Sequence, residues 1–489
     1  MHRPAFHYTP ATGWMNDPNE LVYADGKYHL FYQYYPQDIV WDPMHWGHAE
    51  SADLLHWKRL PIALTPDSLG WIFSGSAVQD ARNSAGFGKN ALVAIFTYHN
   101  DELWKQGKKN TESQGLVYST DGGRTWKKYD RNPVLNNSGE QDFRDPKVFW
   151  HDGKQRWNMV LAVGNVIKIF SSQNLTTWKH ESDFAPDIKD FGVLECPDIF
   201  PMNVSNSQKH EEKWVMLISQ NTNGPNGGNG TRYFVGEFDG TRFTNVAPQD
   251  AAQDWLDYGK DFYAAVTFGN FSEQKKGNGA KPIVLGWMSN WQYADKTPTS
   301  VWRSAMTLPR TMELIIEGNS YAIRQQPTER FQTLTKSAFA AKAATTPFRH
   351  SLTNVSQSDI SFDLDTTRMN TGLTGEGLTI EVSNRVGEKV KVEIQNGQVR
   401  FDRSASGKIN FSPDFADAPQ TMPLRHRIYR VRMIFDCSSV EIFLNDGRYA
   451  MTNQYFSTTL FETITILSPA LMRLANVHIS TMQSVWGKK

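Results

Sequence analysis

Three carboxylate clusters beside prolines stand out in the chain: Asn16-Asp17-Pro18-Asn19, Arg144-Asp145-Pro146 and Glu195-Cys196-Pro197-Asp198. Pro18 fixes its own φ and biases the residue before it away from helix, so Asp17 is expected at a rigid turn or strand start. A carboxylate held that stiffly suits an aimed nucleophile. Alone, Asn-Asp-Pro-Asn is ordinary turn chemistry. The two further sites lie far downstream, each between apolar strand-like runs. Such a set matches the needs of a retaining glycosidase, which uses one carboxylate as nucleophile and one carboxylic acid to protonate the leaving oxygen, roughly 5 Å apart. Order along the chain does not by itself bring them together.

The elements that must position these groups are strands. From Leu21 to about Asn319 short apolar runs such as Tyr28-His29-Leu30-Phe31-Tyr32 and Trp157-Asn158-Met159-Val160-Leu161 alternate with polar and aromatic turns, almost without helical periodicity. A weak repeat runs through them. Ser51 to Trp57, Ser119 to Trp126 and Ser172 to Trp178 share a Ser, a polar turn and a closing Trp, with a degenerate fourth copy at Phe234 to Phe243. A spacing of roughly 50 to 70 residues fits one four-stranded propeller blade per copy, with the Trp residues packing between blades. Periodicity alone allows four, five or six blades. After Pro309 the texture changes. The Ala-rich stretch from Ser337 to Ala344 reads as a linker or short helix, and from about Ser351 strands alternating at period two, such as Ile360-Ser361-Phe362-Asp363-Leu364 and Val440-Glu441-Ile442-Phe443-Leu444, read as half-buried sandwich strands.

The segments Trp14-Met15-Asn16-Asp17-Pro18-Asn19, Phe73-Ser74-Gly75-Ser76, Arg144-Asp145-Pro146-Lys147 and Glu195-Cys196-Pro197-Asp198 resemble, in the same order, the motifs of family 32 glycoside hydrolases. That family comprises invertases, inulinases and levanases, which hydrolyse β-fructofuranosides. Asp261-Phe262-Tyr263-Ala264-Ala265, Gly286-Trp287-Met288-Ser289-Asn290-Trp291 and Asp436-Cys437-Ser438-Ser439-Val440-Glu441 extend the resemblance over nearly the whole chain. It implies an all-β fold, a five-bladed β-propeller followed by a C-terminal β-sandwich, with the acidic motifs on innermost strands facing a funnel. The corresponding division is 1–325 for the propeller, 326–344 for a linker and 345–489 for the sandwich. It also implies roles: Asp17 as nucleophile, Glu195 as general acid and base, Asp145 as transition-state stabiliser. Asn16, Gln33, Trp41, Ser74 and Arg144 are implied as fructose-binding groups, with Trp291 as an apolar wall. Such roles require a raised pKa at Glu195, supplied by apolar burial or a neighbouring carboxylate, and hydrogen-bond donors around an ionised Asp17. Tyr263 is expected near the acid and base. The chain departs from the family pattern at Glu20, where Gly is usual, and at Cys437, where Arg is usual.

Lys plus Arg equals Asp plus Glu, 51 against 51, so no basic field points to nucleic acid or an anionic membrane. A neutral polar partner, a fructose-containing oligo- or polysaccharide, is expected, and 16 Trp supply flat faces for it. Homo-oligomerisation is left open. With only Cys196 and Cys437 there is no disulfide framework, Cys196 is expected as a packed free thiol, and His45, His48 and His56 lack zinc-site spacing. The mechanism needs no metal and no cofactor. No run reaches the roughly 18 apolar residues of a membrane span. An extracellular protein whose export signal has been removed is favoured over a cytoplasmic one. The long loops at Trp104 to Gly107 and Asn221 to Gly230 are expected to shape the funnel mouth. Two other readings stand beside hydrolysis. A fructosyltransferase shares the same covalent intermediate, and a non-catalytic fructan-binding propeller would keep the pocket without needing all three carboxylates.

Overall fold

The computed structural model describes residues 2–246, 255–269, 281–364, 377–469 and 471–486. The Glu20 side chain and the glycosylation sequon at Asn270 lie outside the described residues.

Five sheets of four or five strands form the N-terminal part. Their innermost strands are Gly13–Ala24, Trp71–Asp80, Phe143–His151, Leu194–Asn203 and Tyr263–Thr267. Each lies beside the innermost strands of the blades before and after it, and the fifth returns to the first, so they form a ring. Late chain seals the ring: Trp302–Arg303 runs parallel to Gly13 and Trp14, while Ala305–Met306 pairs with Trp287 and Met288 of blade five. Among the described residues the one α-helix is Asp101–Lys105.

The repeated Ser-to-Trp segment is one turn built four times. In the first three copies a Ser Oγ accepts backbone N–H groups (Ser51 from Leu54, Ser119 from Gly123, Ser172 from Leu175), and the closing Trp indole donates to the carbonyl three residues back. Asp53, Asp121, Asn174 and Asp239 cap the following turn through their side chains. Each turn joins the third strand of a blade to its fourth. Trp126 of blade two packs edge-on against Phe31 of blade one, the inter-blade contact the sequence suggested. His48 stacks on Phe31 and meets His29 at 3.0 Å, while His56 pairs with Asp53 at 2.8 Å and His45 with the Pro43 carbonyl.

The C-terminal part is two six-stranded sheets. Between them lies a core that includes Ile360, Phe362, Ile380, Val392, Val431 and Ile442. The Ala-rich segment expected as linker or short helix is instead the edge strand Thr335–Thr345, paired along its length with Arg473–Met482. Alanine's low strand propensity is overridden by that partner and by burial of Phe339, Ala341 and Ala344 against the core. Ser439–Leu444 and Tyr449–Gln454 are buried on both faces. One face meets the sandwich core and the other the propeller, so Glu441, on the polar face of an alternating strand, is fully buried. The first residues of the chain also belong in space to the sandwich, because backbone N–H groups of Ala5, Phe6 and His7 donate to the Asp436 carboxylate.

Candidate active site

All five innermost strands break register where their site residues sit. The shifts fall between Met15, Pro18 and Leu21, between Ile72 and Gly75, opposite Arg144 to Lys147, between Glu195 and Asp198, and between Tyr263 and Val266. Asp145, Cys196 and Ala264 take left-handed backbone conformations there, with φ of 64°, 47° and 51°. Such bulges leave one residue unpaired and re-aim side chains, and Pro18, Pro146 and Pro197 suit positions that donate no ladder hydrogen bond. Register breaks on five strands, three of them with a strained left-handed residue, thus turn a ring of edges into a converging set of side chains.

All nine residues singled out from the sequence, Asn16, Asp17, Gln33, Trp41, Ser74, Arg144, Asp145, Glu195 and Trp291, line one pocket of about 360 Å³. The three carboxylates meet around Cys196. Its backbone N–H donates to Asp145 Oδ2 at 2.9 Å, and its thiol lies 3.6 Å from that oxygen and 3.8 Å from Asp17 Oδ2. Glu195 is the adjacent residue. Its Oε1 accepts from Arg144 Nη2 at 3.0 Å and Nε at 3.2 Å, and its Oε2 accepts from the Tyr263 hydroxyl. Arg144 also bonds Asp142 at 2.7 Å and Glu112 at 3.1 Å.

The electrostatics differ from the expectation. Burial first, then Glu195 and Asp145, push the Asp17 carboxyl well above the usual range, and its Oδ1 has no hydrogen-bond partner among the described residues. Burial also pushes Asp145 up to about 7, against the pull of Arg144 and with that of Glu195. The Asn16 side chain and Asp17's own backbone N–H pull the other way but do not offset the rise, and the acid candidate Glu195 sits against a guanidinium and a phenol. The guanidinium of Arg144 is bonded to Glu195, Asp142 and Glu112, not to Asp17.

Buried partners orient the polar lining. Trp14 donates its indole N–H to Asn16 Oδ1 at 2.7 Å. With its amide turned to suit its neighbours, Asn19 donates to Ser74 Oγ at 2.9 Å and accepts from Gln33 Nε2 at 3.0 Å. The Trp291 ring stacks on Trp14 with centroids 5.9 Å apart, and its backbone N–H donates to Asn229 Oδ1 at 2.8 Å. Asn229, the start of a sequon, is itself fully buried. Trp41 is on the rim, edge-on to Trp71 at 5.2 Å.

Sequence reasoning missed Glu112, Asp142, His99, Phe73 and the Lys108-Lys109 pair, all in the pocket lining. Glu112 is buried, and Arg144 holds its carboxyl below the usual range against the cost of burial. A lone Glu opening a strand carries no motif to flag it. Of the two loops, that at Trp104 reaches the pocket, whereas Asn221 to Gly230 is absent from its lining. Asn226 instead bonds the backbone of Thr421 in the sandwich, at 2.6 and 3.0 Å.

Family models match both parts of the chain: the glycosyl hydrolases family 32 N-terminal domain over residues 7–327 and the family 32 C-terminal domain over 319–481. A levanase of Bacillus subtilis is 40% identical, over 99% of this chain and 71% of its own length. An extracellular exo-inulinase of Aspergillus niger is 36% identical, over 93% of this chain and 89% of its own. Among solved structures, a variant fructofuranosidase of Schwanniomyces occidentalis complexed with fructosylnystose superposes with a TM-score of 0.86 at 30% identity, covering 99% of this chain and 98% of the other.

Proposed function

The chain belongs to glycosyl hydrolase family 32, and from that premise we propose that it removes single fructose units from the non-reducing end of β-fructofuranosides, with sucrose, inulin and levan as substrates and with retention of configuration. The observation that carries this reading is the meeting of Asp17, Asp145 and Glu195 around Cys196 at the inner end of one pocket. Asp17 attacks the anomeric carbon of the terminal fructosyl group while Glu195 gives its proton to the departing oxygen. Water then attacks the fructosyl ester, and Glu195 takes its proton back. Asp145 accepts hydrogen bonds from fructose hydroxyls, bonds that aid rate as far as they tighten in the transition state.

Burial and the neighbouring carboxylates push Asp17 and Asp145 upward. A bound sugar presents hydroxyl donors to both, which favours their anions. Arg144 and Tyr263 hold Glu195 in place for its transfer.

Exo attack is supported by what lies beneath. Beside Asp145 and Cys196, on the side of Lys147, the described residues leave a void of about 10 Å³, and there Lys147 pairs with Asp198 at 3.2 Å and donates to the Thr267 carbonyl at 2.7 Å. A polymer threading past the carboxylates would need an exit there. An extracellular location follows the A. niger relative. The test is the product pattern and initial rate on sucrose, inulin and levan. Fructose is expected as first and dominant product. Early oligosaccharides of three or more units with little fructose would refute exo attack, and no fructose release from any of the three would refute the reading.

A further inference from the structure

Tyr263, whose hydroxyl bonds Glu195, follows a segment that the propeller does not hold by itself. Residues 257–261 run along the sandwich strand Tyr449–Gln454 and are pinned at both ends. Asp257 accepts from Thr452 N at 2.8 Å and Thr452 Oγ1 at 2.7 Å. Asp261 Oδ2 accepts from Gln454 N at 2.8 Å, and its own N–H donates to Thr452 O at 3.2 Å. Between them Gly259 lies so close that a Cβ would come within 2.0 Å of Thr452 O and 2.2 Å of Thr452 N. No side chain fits without parting the two backbones.

The Asp261 carboxylate is fully buried and takes its countercharge from the sandwich. Arg403 Nη1 donates to Asp261 Oδ2 at 2.6 Å, and Arg403 Nη2 donates to Tyr293 OH at 2.9 Å. That hydroxyl in turn donates to Asp261 Oδ1 at 2.7 Å. Arg403 is itself fixed by donating to the carbonyls of Phe415 at 2.6 Å and Gln454 at 3.0 Å. Two residues beyond Asp261 stands Tyr263, at the start of the bulged fifth inner strand.

We propose that the β-sandwich sets the position of the acid and base of the site: Arg403 holds Asp261, Asp261 fixes the register of Phe262 and Tyr263, and the Tyr263 hydroxyl fixes Glu195. Arg403 is thus a positioning residue, and the inference rests on the hydrolytic reading above. It gives the second domain a part in the chemistry without any contact to substrate.

The test is a double-mutant cycle on full-length protein with sucrose, each variant assayed well below its own Tm. Arg403→Met in the wild-type background is expected to lower kcat about tenfold with KM within about twofold, and to shift the limb of the pH–rate profile that reports Glu195. In the Tyr263→Phe background the same substitution should change kcat by less than about twofold, because the link it acts through is already cut. Arg403→Lys keeps the charge but not the planar fork and should recover only part of the loss. Arg448→Met, which breaks the Arg448–Glu317 contact between the domains at 2.7 Å, is the control and should lower Tm while leaving kcat and the pH profile unchanged. If Arg403→Met does not accumulate folded, Tyr293→Phe removes only the bridging hydroxyl and carries the same prediction. Equal kcat losses in both backgrounds, or a lower Tm with unchanged kcat and pH profile, would overturn this inference alone. A wild-type protein that hydrolyses none of the three fructosides would overturn the underlying reading and this inference with it.

Discussion

Buried carboxylates gather in two places in this molecule, the pocket and the domain interface, and they are treated in opposite ways. At the interface each finds its full complement of donors. Glu441 accepts from Arg310 at 2.6 and 2.9 Å, from His7 at 2.9 Å and from the Leu308 N–H at 2.7 Å. Asp436 accepts from four backbone N–H groups, those of Ala5, Phe6, His7 and Cys437, and from His7 Nδ1. Arg310 and then His7 accordingly hold Glu441 below the usual range against the cost of its burial. In the pocket Arg144 bonds Glu195 but neither Asp17 nor Asp145, and one oxygen of Asp17 has no hydrogen-bond partner among the described residues. Charges that hold the domains together are neutralised in advance. Those facing substrate are left short of donors, and the sugar is to supply them.

The largest effect should separate the two classes outright. Asp17→Asn is expected to lower sucrose turnover by roughly 10⁴ or more while raising stability by about 1 kcal/mol, because it removes an unsatisfied buried charge. Asp436→Asn should do the reverse. It costs about 3 kcal/mol through loss of the His7 pairing, with turnover per folded molecule unchanged. Thermal melts alongside initial rates check both, and a destabilised Asp17→Asn would break the contrast.

The two regions also carry pH dependence in different windows. Asp145 is raised from 3.8 to about 7, and His7 from 6.5 to about 9 through its bonds to Asp436 and Glu441, which outweigh burial. Each binds its proton more tightly folded than unfolded, so its contribution to stability is full below the unfolded value and is lost as pH rises through the folded one. Denaturant titrations should therefore show Asp145→Asn flattening the fall in stability between about pH 4 and 7, and His7→Gln flattening that between about pH 6.5 and 9. The smallest effect concerns the rim. Trp104 is 59% exposed on a helix with no buried residue. Trp104→Ala should shift stability by less than about 0.5 kcal/mol and lower kcat/KM about fivefold more on inulin than on sucrose, as a stacking face for a second sugar unit would.

Much of this was legible in the chain because it is local. Asp-Pro and Cys-Pro pairs flagged the strands that bulge, and the Ser-to-Trp turns marked the blades. What escaped depends on neighbours distant in sequence. Glu441 sits at period two in an alternating strand, the pattern of a solvent face, and only the docking of the propeller reveals it as buried. Thr335–Thr345 reads as Ala-rich linker because its partner strand lies well over a hundred residues away. Apolar burial or a neighbouring carboxylate was expected around Glu195; the contacts that the chain does not reveal are Arg144, which meets it from blade three, and the Tyr263 hydroxyl from blade five.

The account rests on Asp17 as the nucleophile, and the anomeric form of the product tests that most directly. NMR of sucrose hydrolysis, recorded faster than mutarotation, should show β-fructofuranose as the first-formed fructose, the outcome of two successive inversions through a fructosyl–Asp17 ester. An initial α product would mean a single displacement by water, with Asp17 acting as a base and no covalent intermediate.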